Sequence, residues 1–267
     1  MLRELGALLR REWLRYIRTP VWIISSLLVP VLYLILFGQG FNYPGGPAQY
    51  LGAPNYISYF AAGMVGFVAL TMSLFSGANV IFDKGLGIVK RQAATPAPRS
   101  VIFLSPLIFR SLIALVPAFL VLGLAVLLAH IPGFVGLTIT GSVGVLGAFE
   151  IVIAVLVLAL MFNALFLAFG FALESPQSYF GIVNLLNLPI LFTSNALYPP
   201  GVGPDWLHQI AEYNPVSLCV NVLRENLFGS SSYYPYIPEV YLLALLAWAA
   251  AFISLAVVLG RRALRTP

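Results

Sequence analysis

Six stretches of the chain carry almost no charge over a length near the roughly 20 residues that a helix needs to cross a hydrocarbon core. They run over 21–37, 56–82, 101–130, 148–173, 179–197 and 241–260, and each is expected to be a membrane-spanning helix. A different pattern precedes the first. At 100° per residue, Leu2, Leu5, Leu9, Trp13, Tyr16 and Ile17 share one face and Arg3, Arg10, Arg11, Arg15 and Arg18 the other, as in a helix lying in a membrane surface with cations towards anionic headgroups. Thr19-Pro20 ends it. The alternative is a basic tail that only orients the chain. Residues 1–20 are thus expected to be an interface helix, 21–260 the membrane domain and 261–267 a tail.

Two segments fit neither pattern. Between the second and third spans, residues 83–100 hold Asp83, Lys84, Gly87, Lys90, Arg91 and Pro96. A short helix over 87–94 would expose Lys90 and Arg91, either as a topology anchor or as a docking element. Between the fifth and sixth spans, 199–238 should form two short helices. One opens at Pro204-Asp205-Trp206, with Asp205 able to cap it. The other opens at Asn214-Pro215, with Asn at the N-cap and Pro in the first turn. In that second helix Val216, Cys219, Val220, Leu223 and Leu227 share a face, while Asn221, Arg224 and Glu225 lie off it. Too short to span, the pair is expected to be re-entrant or interfacial.

Composition agrees: 60% of the 267 residues are apolar and 9% charged, against about 45–50% and about 25% in soluble domains. A soluble enzyme is excluded. The net charge of +5 does not indicate nucleic acid, because the cations are segregated. Twelve of the fourteen Lys and Arg fall before the first span, between the second and third, or after the sixth. The positive-inside rule then places both termini in the cytoplasm. A lone Cys219 and two distant histidines, His130 and His208, offer neither a disulfide framework nor a metal set.

Candidates for a transport path are few. Asn184, Asn187, Leu191 and Asn195 fall near one face of the fifth span, and Phe60, Phe67, Phe75 and Phe82 form a stripe on the second. Both sets have plainer readings, the asparagines as hydrogen bonds within a subunit or at a dimer seam, the phenylalanines as packing or lipid-facing groups. No Asp, Glu, Lys or His falls at mid-span, and Arg110 is shallow. This weakens an ion-coupled secondary transporter or channel, which remains the alternative.

The whole order resembles the membrane subunit of type-2 ABC transporters, which include drug and polysaccharide exporters. Two stretches carry the likeness: Asp83…Gly87-Ile88-Val89-Lys90-Arg91…Ala94-Thr95-Pro96, and Phe192-Thr193-Ser194-Asn195…Tyr198-Pro199…Pro204-Asp205-Trp206-Leu207…Asn214-Pro215…Leu223-Arg224. Where the family often has a Glu after the Asp, this chain reads Lys84-Gly85-Leu86. The resemblance implies two ATPase subunits and a second permease copy. It also implies that 83–96 couples to the ATPases and that 199–238 is an outward re-entrant hairpin holding Pro199, Asp205, Trp206, Asn214, Pro215 and Arg224. No Gly-x-x-x-x-Gly-Lys-Ser/Thr loop exists in the chain, so ATP and Mg are expected on the partner.

Overall fold

In a computed structural model of the chain, the described residues are 2–18, 21–41, 53–95, 99–141, 143–199, 204–229 and 236–263. All regular structure among them is helical: α1 (Leu2–Ile17), α2 (Val21–Gly40), α3 (Tyr56–Gly85), α4 (Ile88–Ala93), α5 (Arg99–Leu128), α6 (Val145–Ala172), α7 (Pro176–Phe192), α8 (Asp205–Tyr213), α9 (Pro215–Phe228) and α10 (Pro238–Ala263).

Four helices among the described residues are long and apolar enough to cross a membrane, within α3, α5, α6 and α10. The apolar stretch described in α2, Leu27–Gly40, is shorter. The largest departure from the sequence reading is α7. It ends at Phe192, where Thr193 caps it, and its 17 residues reach about 25 Å at 1.5 Å per residue. Residues 193–198 then leave the helix in a series of turns and bends. Pro189 weakens this end, because a proline lacks the N–H that would bond back along the helix.

α3 and α6 are the centre of the bundle, mostly buried, while α5 and α10 turn much of their surface outward. Ile57, Met64, Val65 and Val68 of α3 and Leu158, Met161, Phe162 and Phe166 of α6 belong to one buried apolar core. Their crossing depends on two glycines. A Cβ on Gly170 would lie 2.8 Å from the Cα of Gly77, so any side chain there forces the helices apart. Close approach of backbones through small residues is a main source of helix association in lipid, where apolar burial drives little. Beside this crossing the Tyr179 hydroxyl of α7 donates to the Leu74 carbonyl at 2.5 Å.

Helix ends are set as the local sequence dictates. Asn55 starts α3 by accepting from Ser58 N, Ser175 starts α7 by accepting from Ser178 N, and Asn214 starts α9 by accepting from Val216 N. Asp205 does not cap α8: Pro204 is the N-cap, and Asp205 is the first helical residue with no capping bond. At the end of the bundle bearing α1 and α4, the Lys84 ammonium donates to the carbonyls of Phe171 (2.9 Å) and Leu173 (2.8 Å). It thereby satisfies acceptors that the last turn of α6 leaves open.

Candidate functional site

α1 does not simply present its basic face to water and lipid. Arg11 and Arg15 turn inward onto Asp83 at the end of α3, Arg11 Nη2 at 3.2 Å from Oδ2 and Arg15 Nη1 at 3.1 Å from Oδ1. One helical step away, Arg110 of α5 donates to Glu12 at 3.3 Å. The indoles and phenols follow the same arc, with Trp13 and Tyr16 both edge-on to Phe109 at 6.3 Å. Burial raises the Tyr16 phenol above its ordinary range, so it is a neutral hydroxyl at physiological pH. Arg10, Arg18 and Ile17 remain exposed, as does most of Trp13.

The carboxylates of Glu12 and Asp83 are nearly buried and their partners only partly so. Hydrogen bonds to a charged group contribute about 1.5–3 kcal/mol each, far more than an exposed ion pair of about 0–1 kcal/mol. α1 is therefore fastened to α3 and α5 by charge and by ring packing together.

α4 hangs from this assembly. Its N-cap, Gly87, has φ 68°, the left-handed region that glycine enters without a Cβ penalty. The helix covers 88–93 and exposes Lys90 and Arg91. Pro96 lies outside the described residues. Asp83, Lys84, Gly87, Lys90 and Arg91 thus fall in one continuous element joined to α1 and to the end of α6.

At the opposite end α9 is not amphipathic, whereas α8 is largely exposed. α9 is buried on nearly every side, including Asn221, Arg224 and Glu225, which the sequence placed off its buried face. Arg224 is fully buried and donates from Nη1 to the Asn195 carbonyl and from Nη2 to the Tyr59 carbonyl, each at 3.1 Å. Its guanidinium carbon lies 3.5 Å from the Tyr59 ring centroid, a cation–π contact strengthened by desolvation. The Tyr59 hydroxyl is 2.6 Å from the carbonyls of Asn195 and Tyr198. Asn195 adds a bond to Asn221 at 2.7 Å. Asn214, besides capping α9, donates to the Ile190 carbonyl and the Thr193 hydroxyl, meeting acceptors near the end of α7. Pro199 and Pro215 are buried, whereas Asp205 and Trp206 are exposed on α8.

The transport-path candidates separate. Asn195 is beyond the end of α7 and belongs to the Arg224 cluster, so it does not continue a face with the other two asparagines. Asn187 is buried and Asn184 exposed. Phe60 is core, stacked on Tyr56 with centroids 5.7 Å apart. Phe67 meets Tyr33 of α2 at 6.3 Å, and Phe75 lines a cavity beside α1. The sequence reading missed Glu12, Tyr59 and the buried pair Asn163–Ser111, bonded at 3.2 Å between α6 and α5. For Glu12 there was a signal: an acid on the boundary between the apolar and basic arcs of α1 has no reason to be in a headgroup-binding face.

Residues 3–228 match the family of ABC-2 type transporters. The chain is 30% identical over 234 residues to a putative transport permease ycf38 of Cyanophora paradoxa, covering 87% of this chain and 76% of that protein. It is 28% identical over 225 residues to the ycf38 permease of Pyropia yezoensis (84% and 74%). Over 226 residues it is 25% identical to the daunorubicin resistance ABC transporter permease protein DrrB1 of Streptomyces coeruleorubidus (84% and 75%). With long apolar helices around a close-packed α3–α6 centre and a match that runs from α1 to the end of α9, the chain belongs to the ABC-2 type transporter family and is a multi-pass membrane transport permease.

Proposed function

We propose that this chain is the permease subunit of an ATP-driven exporter in the cell membrane of a prokaryote. It works with a second permease copy and two ATPase subunits that bind ATP and Mg. α2, α3, α5, α6, α7 and α10 are its six spans, with both termini cytoplasmic, α1 at the inner membrane surface, and α8–α9 a re-entrant hairpin on the outer side. The cargo is a hydrophobic or amphipathic molecule such as a drug, a lipid or a lipid-linked compound, and alternating access moves it outward. The likeness to the daunorubicin resistance permease favours drug-like cargo.

The observation that carries this reading is the continuous connection from α4 to the bundle centre. Lys90 and Arg91 are exposed on α4, Asp83 ties its root to α1, and Lys84 ties it to the end of α6. A push on α4 by a closing ATPase dimer would reach both central helices and α1 at once. Exposed Asn184, among Leu185, Leu188 and Ile182 on α7, suits the seam with the second copy or the path, since polar groups at membrane depth face protein or water.

Co-purification with the product of the neighbouring gene, followed by an ATPase assay in bilayers, tests the proposal. A neighbour without ATPase activity, or one that forms no complex, refutes it.

A further inference from the structure

α7 is attached to the bundle along a narrow line. Of its 17 residues only Tyr179, Val183, Asn187 and Leu191 are buried, one at every fourth position, and the helix packs chiefly on α3. Gly181, Ile182, Asn184, Leu185 and Leu188, on its other sides, are exposed. In lipid an apolar stripe holds helices together weakly, because leaving it exchanges protein contacts for equally apolar tails. Polar contacts therefore decide how firmly α7 is held.

Those contacts are unevenly placed. After Pro189 the chain is held by the hairpin several times over. Asn214 donates to the Ile190 carbonyl at 2.8 Å and to the Thr193 hydroxyl at 3.0 Å, Asn195 N donates to the Ser217 hydroxyl at 3.0 Å, and Arg224 donates to the Asn195 carbonyl. Before Pro189, one α7 side chain bonds to another helix among the described residues, Tyr179, whose hydroxyl donates to the Leu74 carbonyl of α3. Asn187 lies between, buried, with its Oδ1 without a partner among the described residues. A buried acceptor left so opposes packing rather than supporting it. Pro189 divides the two regions, because it has no N–H for the Leu185 carbonyl and interrupts the helical ladder there.

We propose that residues 176–188 form an arm that swings about Pro189, and that Tyr179 is the positioning residue that latches this arm to α3. Leu74 is nine residues from Asp83 on the same helix, about 14 Å. A displacement of the α3 end by α1 or α4 therefore reaches the latch along one continuous helix. Release frees the arm from α3 and opens Asn187 to water or cargo. The proposal deepens the exporter reading and rests on it only for what trips the latch.

The test is the distance between spin labels on the full-length permease alone in bilayers, with labelled chain diluted in unlabelled chain. Labels on Gly181→Cys and Leu86→Cys report the arm, and labels on Phe192→Cys and Ile139→Cys the fixed end; all four positions are exposed, while the native Cys219 is fully buried. Tyr179→Phe keeps the ring and removes the hydroxyl. It should raise the long-distance population of the 181–86 pair about two- to tenfold, the worth of one neutral hydrogen bond, and leave the 192–139 pair unchanged. Pro189→Ala restores the missing N–H and should lower that population in the Tyr179→Phe background, a change of opposite sign that misfolding does not produce. A 181–86 distribution unaltered by Tyr179→Phe, an equal change in both pairs, or no fall with Pro189→Ala overturns the proposal. A neighbouring gene product without ATPase activity would refute the exporter reading and leave these distances standing.

Discussion

Arg15 and Asp83 are 68 positions apart in sequence and 3.1 Å apart in space, so the last turn of α1 and the last turn of α3 move as one. Two arginines converge on that single carboxylate, and removing it leaves Arg11 a longer approach to Glu12 at 3.8 Å. Asp83→Ala should destabilise the seat of α1 by about 1–3 kcal/mol. The expected readouts are faster proteolysis within residues 2–18 and weaker transport. Membrane insertion should be unchanged. Unaltered proteolysis would show that the Glu12–Arg110 pair and ring packing on Phe109 suffice to hold α1.

Lys90 and Arg91 are exposed, so Lys90→Glu with Arg91→Glu should shift thermal stability by no more than about 0.5 kcal/mol. The same pair should abolish co-purification of the ATPase or its stimulation by the permease. Unchanged stimulation would remove the coupling role from α4.

Arg224 is the opposite case. Arg224→Met takes the donors from the Asn195 and Tyr59 carbonyls and the cation from the Tyr59 ring. Leaving a buried carbonyl without its donor typically costs about 1–3 kcal/mol. The melting temperature in detergent should fall steeply, and Arg224→Lys, which keeps the charge but cannot span both carbonyls, should fall in between. A melting temperature near wild type in Arg224→Met would show that the cluster is not what fixes α9.

The two glycine environments allow a paired comparison. Gly77→Ala places a methyl against the Phe166 carbonyl and Tyr179, whereas the Cβ position on Gly123 of α5 meets nothing within 4 Å. Gly77→Ala should lose folded yield. Gly123→Ala should be neutral, or gain up to about 1 kcal/mol from helix propensity. Equal behaviour of the two would contradict the close α3–α6 crossing.

The helices that sequence placed well are those with a physical marker at an end. Asn214-Pro215 starts α9 as its residue types dictate, and α4 covers 88–93 against an expected 87–94 because Gly87 and the proline-rich stretch beyond bound it. α7 was read too far because no charge or proline follows Phe192 before Pro199, while the chain bends away after Phe192 to meet Tyr59 and Arg224. That bend depends on groups some 30 to 140 residues away, and no local pattern carries them. The same holds for the site: Lys90 and Arg91 were legible as exposed charge, but the pairing of Glu12 with Arg110 requires the three-dimensional placement of α1 against α5.

The joint at Gly87 separates a pinned residue from an exposed one. Lys84, three residues before it, is pinned to α6, and three residues after it Lys90 stands in the open. Val89 packs α4 against the buried cluster of α3, α5 and α6, so the two exposed cations are held in a fixed direction. If α4 receives the ATPase, as proposed, a lineage could change which ATPase it accepts by altering the exposed residues of 88–93 alone. Permeases with the same bundle could diverge in partner without diverging in cargo.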